Sequence, residues 1–166
     1  MTLRLRPALA LALLPLAACH PKTGASSADS HAPGTTTASQ PAACGKYPAG
    51  APGVIRTFCD GPAVVKVTVA GVQHTLTGGV CSTEGGIFAL NLGVVAGPDL
   101  AGPKPDYVGL SAPITSGHFT NATLAVNVDG KGYALTENSG DLTPAGGAFT
   151  GKAFGGGEAV TGSFTC

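Results

Sequence analysis

Few side chains in this chain are equipped for chemistry: five cysteines, four histidines and nine carboxylates among 166 residues. No serine sits in a Gly-x-Ser-x-Gly elbow, and neither His74 nor His118 has the spacing to a carboxylate that marks a triad. His74 falls on the apolar side of an alternating segment and reads as an interior or rim histidine. His118 stands at a strand entrance, where a solvated residue is the default. Asp129, Glu137 and Asp141 gather around one hairpin and raise the question of calcium. They lack the alternating ligand pattern of an EF-hand loop, and turn chemistry accounts for Asp129. Gly155-Gly156-Gly157 precedes no helix, so a phosphate cradle has no support. There is no CxxC and no close Cys/His pair, so neither a metal site nor any other cofactor is expected. Asn121-Ala122-Thr123 is a formal glycosylation sequon. The sequence therefore assigns no catalytic residue and reads as a non-enzyme.

Cys19 stands apart from the other cysteines. Arg4 and Arg6 precede an apolar run from about Ala8 to Leu16 that ends in small residues. This has the shape of a signal peptide over residues 1–18, too short to span a bilayer. Leu16-Ala17-Ala18-Cys19 resembles the lipobox of bacterial lipoproteins, in which the cysteine becomes the first mature residue and carries thioether-linked diacylglycerol. The resemblance makes Cys19 the lipidation site and the membrane a partner. Each buried methylene contributes roughly 0.8 kcal/mol and stable anchoring takes two acyl chains, which one diacylglycerol supplies. The expected location is the cell membrane or outer membrane, with the domain outside the cytoplasm.

Residues 19–43 read as a lipidated tether. Ala, Gly, Ser, Thr and Pro dominate it, and it holds no aromatic residue and no Val, Ile or Leu. Such a segment buries too little apolar surface to offset the entropy of ordering, so disorder is expected. Thr35-Thr36-Thr37 and the nearby serines suit O-linked sugars, as Ser/Thr/Pro tracts do. Residues 44–166 remain for a single domain. Only 11% of the whole chain is charged, and it holds 26 glycines and 13 prolines, which argues for many turns and little helix. No basic patch or charge run points to nucleic acid.

Cys44, Cys59, Cys81 and Cys166 are an even set in a chain that reads as exported, and two disulfides are expected. Three connectivities are open. The sequence-local choice joins Cys44 to Cys59 and leaves Cys81 for Cys166. The loop-closure model gives about 3 kcal/mol for the first bridge and about 4 to 5 for the second.

From Ala63 the apolar residues recur with the period of two that half-buried strands require. Val65, Val67 and Val69 share a face, and Ala70-Gly71 marks a turn. Val72, His74 and Leu76 follow, then a break at Gly78-Gly79. Val80 and Cys81 lead to a turn at Glu84-Gly85-Gly86, and Phe88, Leu90, Leu92 and Val94 share the next face. Residues 96–106, with three prolines, form a loop. Leu124, Val126 and Val128 alternate up to Asp129-Gly130, with Tyr133 and Leu135 on the return strand. A last hairpin pairs residues 148–154 with 159–166 around Gly155-Gly156-Gly157. About seven to nine short antiparallel strands make an all-β sandwich or partly open barrel. No segment predicts an amphipathic helix beyond the leader.

Several fragments in order resemble the mycobacterial nineteen-kilodalton lipoprotein antigen family. They are Val67-Thr-Val-Ala-Gly71, Leu76-Thr-Gly-Gly-Val-Cys81-Ser-Thr83, Gly85, Val108-Gly-Leu110, Asp129-Gly130 with Tyr133-Ala-Leu-Thr136, and Phe164-Thr-Cys166. The resemblance implies a membrane-attached surface β-domain with a bridge between Cys81 and Cys166. Cys44 and Cys59 depart from the family pattern. Two readings follow: a non-enzymatic surface module for interaction or adhesion with a protein, glycan or lipid partner, and a carrier holding a small apolar or lipid ligand between its sheets. The carrier reading draws on Ala89, Ala125 and Ala153, small residues that would leave room inside.

Overall fold

A computed structural model describes residues 42–155 and 157–166; the expected leader, Cys19 and the tether as far as Pro41 lie outside the described residues. The described residues comprise one short helix, α1 (Ala42–Lys46), and ten strands: β1 (Val54–Phe58), β2 (Ala63–Val69), β3 (Val72–Glu84), β4 (Ile87–Ala96), β5 (Tyr107–Ala112), β6 (Gly117–Thr120), β7 (Thr123–Val128), β8 (Lys131–Thr143), β9 (Gly146–Ala153) and β10 (Ala159–Thr165). Ala42 and Ala43, placed in the tether by composition, are the first residues of α1.

The architecture is all-β and antiparallel, and it is a closed barrel where the sequence predicts a sandwich or a partly open barrel. Eight strands follow one another around the wall in the order β2, β3, β4, β5, β7, β8, β9, β10. The ring seals because Val65 and Val69 of β2 pair with Phe164 and Val160 of β10. On the far side Leu90 of β4 pairs with Leu110 of β5, so no sheet edge is left in the ring. Two further strands supplement it. β1 pairs with Gly93–Ala96, beyond the last β4 residue that β3 reaches. β6 pairs with the second half of β8, beyond the stretch that β7 covers.

Period-two alternation places Val65, Val67, Leu90, Leu92, Val108, Leu110, Val126 and Val160 inside, each 2% exposed or less. Full burial of such a side chain contributes about 1.5–3 kcal/mol, so this interior is the main source of stability. Four phenylalanines complete the packing, and the rings of Phe88 and Phe164 lie 5.7 Å apart. Three of these rings face a glycine directly across the ladder: Phe119 faces Gly140, Phe149 faces Gly162, and Phe164 faces Gly147. A Cβ on Gly162 would come within 2.8 Å of the Phe149 ring, so the glycine supplies the space the ring fills. Glycine content that reads as turns is thus partly strand glycine. Ala89 and Ala125 alternate out of the barrel and are half-buried on its outer surface, while Ala153 is buried, so the first two leave no room inside.

Gly78-Gly79 reads as a break, yet β3 runs through it. The chain leaving β1 crosses β3 here to reach β2, and the Gly61 N–H donates to the Gly78 carbonyl at 2.8 Å. Gly78 has φ +96°, and a Cβ on it would collide with the Cys59 carbonyl oxygen. Only glycine lets the two backbones approach this closely. A second interruption pins β6 and β7 against β8. Glu137 takes φ 50° at the register shift in β8, and Asn138 beside it is 3% exposed. Its Nδ2 donates to the carbonyls of Ala122 and Leu135 at 2.8 and 3.0 Å.

Both disulfides join the pairs expected from spacing, Cys44 to Cys59 and Cys81 to Cys166. The first belongs to a small second core, with Ala43 and Val94 buried and Tyr47 and Val54 packed against it. The second ties β3 to the end of β10.

Candidate functional site

In an up-and-down ring every second connection falls at the same end. The Ala70-Gly71 turn, the 97–106 loop, the Asp129-Gly130 turn and the β9–β10 connection share one end, here the upper one. The lower end carries Gly85-Gly86, residues 113–116, Pro144-Ala145 and the Cys81–Cys166 bridge. The two ends differ in chemistry.

At the upper end the β2–β3 and β7–β8 turns meet across the barrel mouth. His74, whose side chain is 18% exposed, brings Nε2 to 3.8 Å from Asp129 Oδ2. Between the turns lies a depression of about 150 Å³ lined by Ala70, Val72, His74, Asp129, Lys131 and Tyr133. Asp106, at the end of the 97–106 loop, approaches the same place. Burial raises its carboxyl above the ordinary carboxylate range. A hydrogen bond from the Asp129 backbone N–H opposes that rise, the Asp129 charge adds to it, and His74 opposes it. The loop is held by Lys104 N–H on the Gly130 carbonyl at 3.4 Å and by Gly97 N–H on the Gly53 carbonyl at 2.8 Å.

The sequence places His74 on the inner face of its strand and the structure agrees. Its carboxylate partner escapes sequence reasoning because the two come from different hairpins. His118 is likewise exposed as expected, but the β6–β8 register sets its Nδ1 3.1 Å from Asp141 Oδ1. A carboxylate can fix the tautomer of an imidazole in this way. The four cysteines among the described residues are all in disulfides, so none of them is a free thiol. Asp129, Glu137 and Asp141, gathered by sequence, go to separate partners: His74, Lys152 at 4.0 Å, and His118. Among the described residues no three His, Cys, Asp or Glu side chains are placed to hold a metal ion.

The upper rim also carries exposed apolar tips. Phe154, in the β9–β10 connection, is 80% exposed while its backbone N–H is fixed to the Ala134 carbonyl at 2.8 Å. Val72 at the β2–β3 turn is 56% exposed, and Ile55 of β1, beside Gly97, is 68% exposed. Isolated exposed apolar residues are common; three at one end of a small barrel are a feature to be explained. A depression of about 380 Å³ opens on the outer wall beside Val64, Lys66 and Ser163. No family model matches the chain, nor does any curated protein or solved structure.

Proposed function

We propose that this chain is a cell-envelope lipoprotein, held by diacylglycerol on Cys19, whose barrel acts outside the cytoplasm as a non-enzymatic interaction or adhesion module. The observation that supports this reading is the barrel interior, which is occupied by its own side chains. A barrel packed in this way leaves its rim and outer wall for recognition. The lipobox-like Leu16-Ala17-Ala18-Cys19 supplies the anchor, and two disulfides suit a small domain in an oxidising compartment.

The test is mass spectrometry of the detergent-extracted mature protein beside a Cys19→Ala form. The expected result is a diacylglyceryl mass on the peptide that begins at Cys19, and loss of membrane association in the variant. An unmodified Cys19 overturns the reading.

A further inference from the structure

The upper end of the barrel differs from the lower in three respects. First, the chain from Cys19 joins the domain there. α1 packs on β4 and is bridged to Cys59, and Ala43 and Lys46 line a depression with Pro103, Lys104 and Gly130. Second, Phe154, Val72 and Ile55, three of the five large apolar side chains exposed among the described residues, stand on its rim. Third, Lys46, Arg56, Lys104, Lys131 and Lys152 belong to its elements. Of the described cations only Lys66, in the wall on β2, lies elsewhere.

We propose that the upper end is a membrane-docking face, and that its partner is the lipid surface to which Cys19 ties the chain; the inference rests on the anchor reading above. Only 22 residues separate Cys19 from Ala42. A flexible coil of that length spans roughly 25 Å. A lipid surface is thereby held near this end at an effective concentration of the order of millimolar, so weak contacts suffice. The origin of the tips favours lipid over protein. Phe154, Val72 and Ile55 come from three separate elements around the mouth, the β9–β10 connection, the start of β3 and β1. A protein partner needs about 1,000 Å² of complementary surface, whereas a fluid interface accepts separate tips. Asp99, Asp106, Asp129 and Glu158 lie at the same end, and Glu137 stands 4.0 Å from Lys152, so the positive charge is largely offset. Docking is therefore driven by the apolar tips, with lysine and arginine side chains reaching headgroup phosphates, and it requires no anionic lipid.

The chain contains no tryptophan, so a single introduced indole reports its own surroundings. Phe154→Trp and, at the lower end, Ile87→Trp are made in the full lipidated chain and placed in phosphatidylcholine vesicles brominated on the acyl chains. Both positions are exposed, at 80% and 47%, so neither change disturbs the core. The Phe154→Trp emission is expected to shift to the blue and fall roughly twofold or more, as an indole at the interface should, while Ile87→Trp is unchanged. Equal quenching of the two proteins, or quenching of neither, overturns the docking face. The mass of the Cys19 peptide is read from the same sample. A diacylated Cys19 with an unquenched Phe154→Trp protein overturns docking alone; an unmodified Cys19 overturns the anchor and docking together.

Discussion

At the scale of single residues, Asp106 is pulled in opposite directions. Partial burial raises its pKa, while the Asp129 N–H and His74 favour the charged form. The native state therefore holds this proton to a higher pH than the unfolded chain does. Its contribution to stability is full below the ordinary carboxylate range and is lost as pH rises through the native titration of Asp106. Asp106→Asn keeps an oxygen that can accept the Asp129 N–H and removes the charge. The stability of this variant relative to the parent is expected to grow as pH rises from about 3 to 7, read from urea midpoints. A constant difference across that range would contradict the assignment. Sequence could not supply this group, because Asp106 sits in a proline-rich loop with no periodic signal. The environment that shifts it is assembled from His74 and Asp129, each in a different hairpin. His74 itself was legible, since strand alternation alone turned it inward.

At the scale of elements, two hairpins use the same backbone turn with unlike residues. Ala70 and Gly71 have φ 50° and 80°, and Asp129 and Gly130 have φ 52° and 76°. Positive φ at both central residues is the type I′ geometry that matches strand twist. Asp-Gly suits it, but an alanine in the left-handed region costs roughly 1–2 kcal/mol. Ala70→Asn is expected to raise stability by about 0.5–1 kcal/mol, read as a higher urea midpoint at unchanged slope. No change in midpoint would show that Ala70 is not strained. The same alternation that flags these turns made β2, β4 and β7 readable, along with both halves of β3. It passed over β1 and β6, which are 5 and 4 residues long and lack an inward/outward rhythm, and over β5, where only Val108, Leu110 and Ala112 carry the inward face between Gly109 and Ser111. It also misread Gly78-Gly79, since a glycine that admits a crossing backbone looks in sequence like one that ends a strand.

At the scale of the whole molecule, the disulfides do different work. Cys81–Cys166 spans a separation of 85 residues and Cys44–Cys59 one of 15. In the loop-closure model the longer bridge contributes about 4 to 5 kcal/mol and the shorter about 3. Replacing Cys81 and Cys166 together by serine is expected to lower the urea midpoint more than replacing Cys44 and Cys59. The second change should unsettle α1 and β1 while leaving the eight-strand ring folded. A larger loss from the Cys44/Cys59 pair would show that the small second core, and not the ring, carries the stability. The strand-rich class was legible because the period is local. Closure was not, because it depends on β2 and β10 having matching registers across most of the chain.

That seam also sets a schedule for folding. β2 is made early and β10 roughly ninety residues later, so during synthesis β2 keeps one row of amide and carbonyl groups without its native neighbour. A chain stopped before Ala159 has two raw edges, on β2 and β9, that only the missing strand can satisfy. The growing chain is adhesive in a way the finished one is not, and Lys66, pointing outward from the middle of β2, is the one charge on that waiting edge.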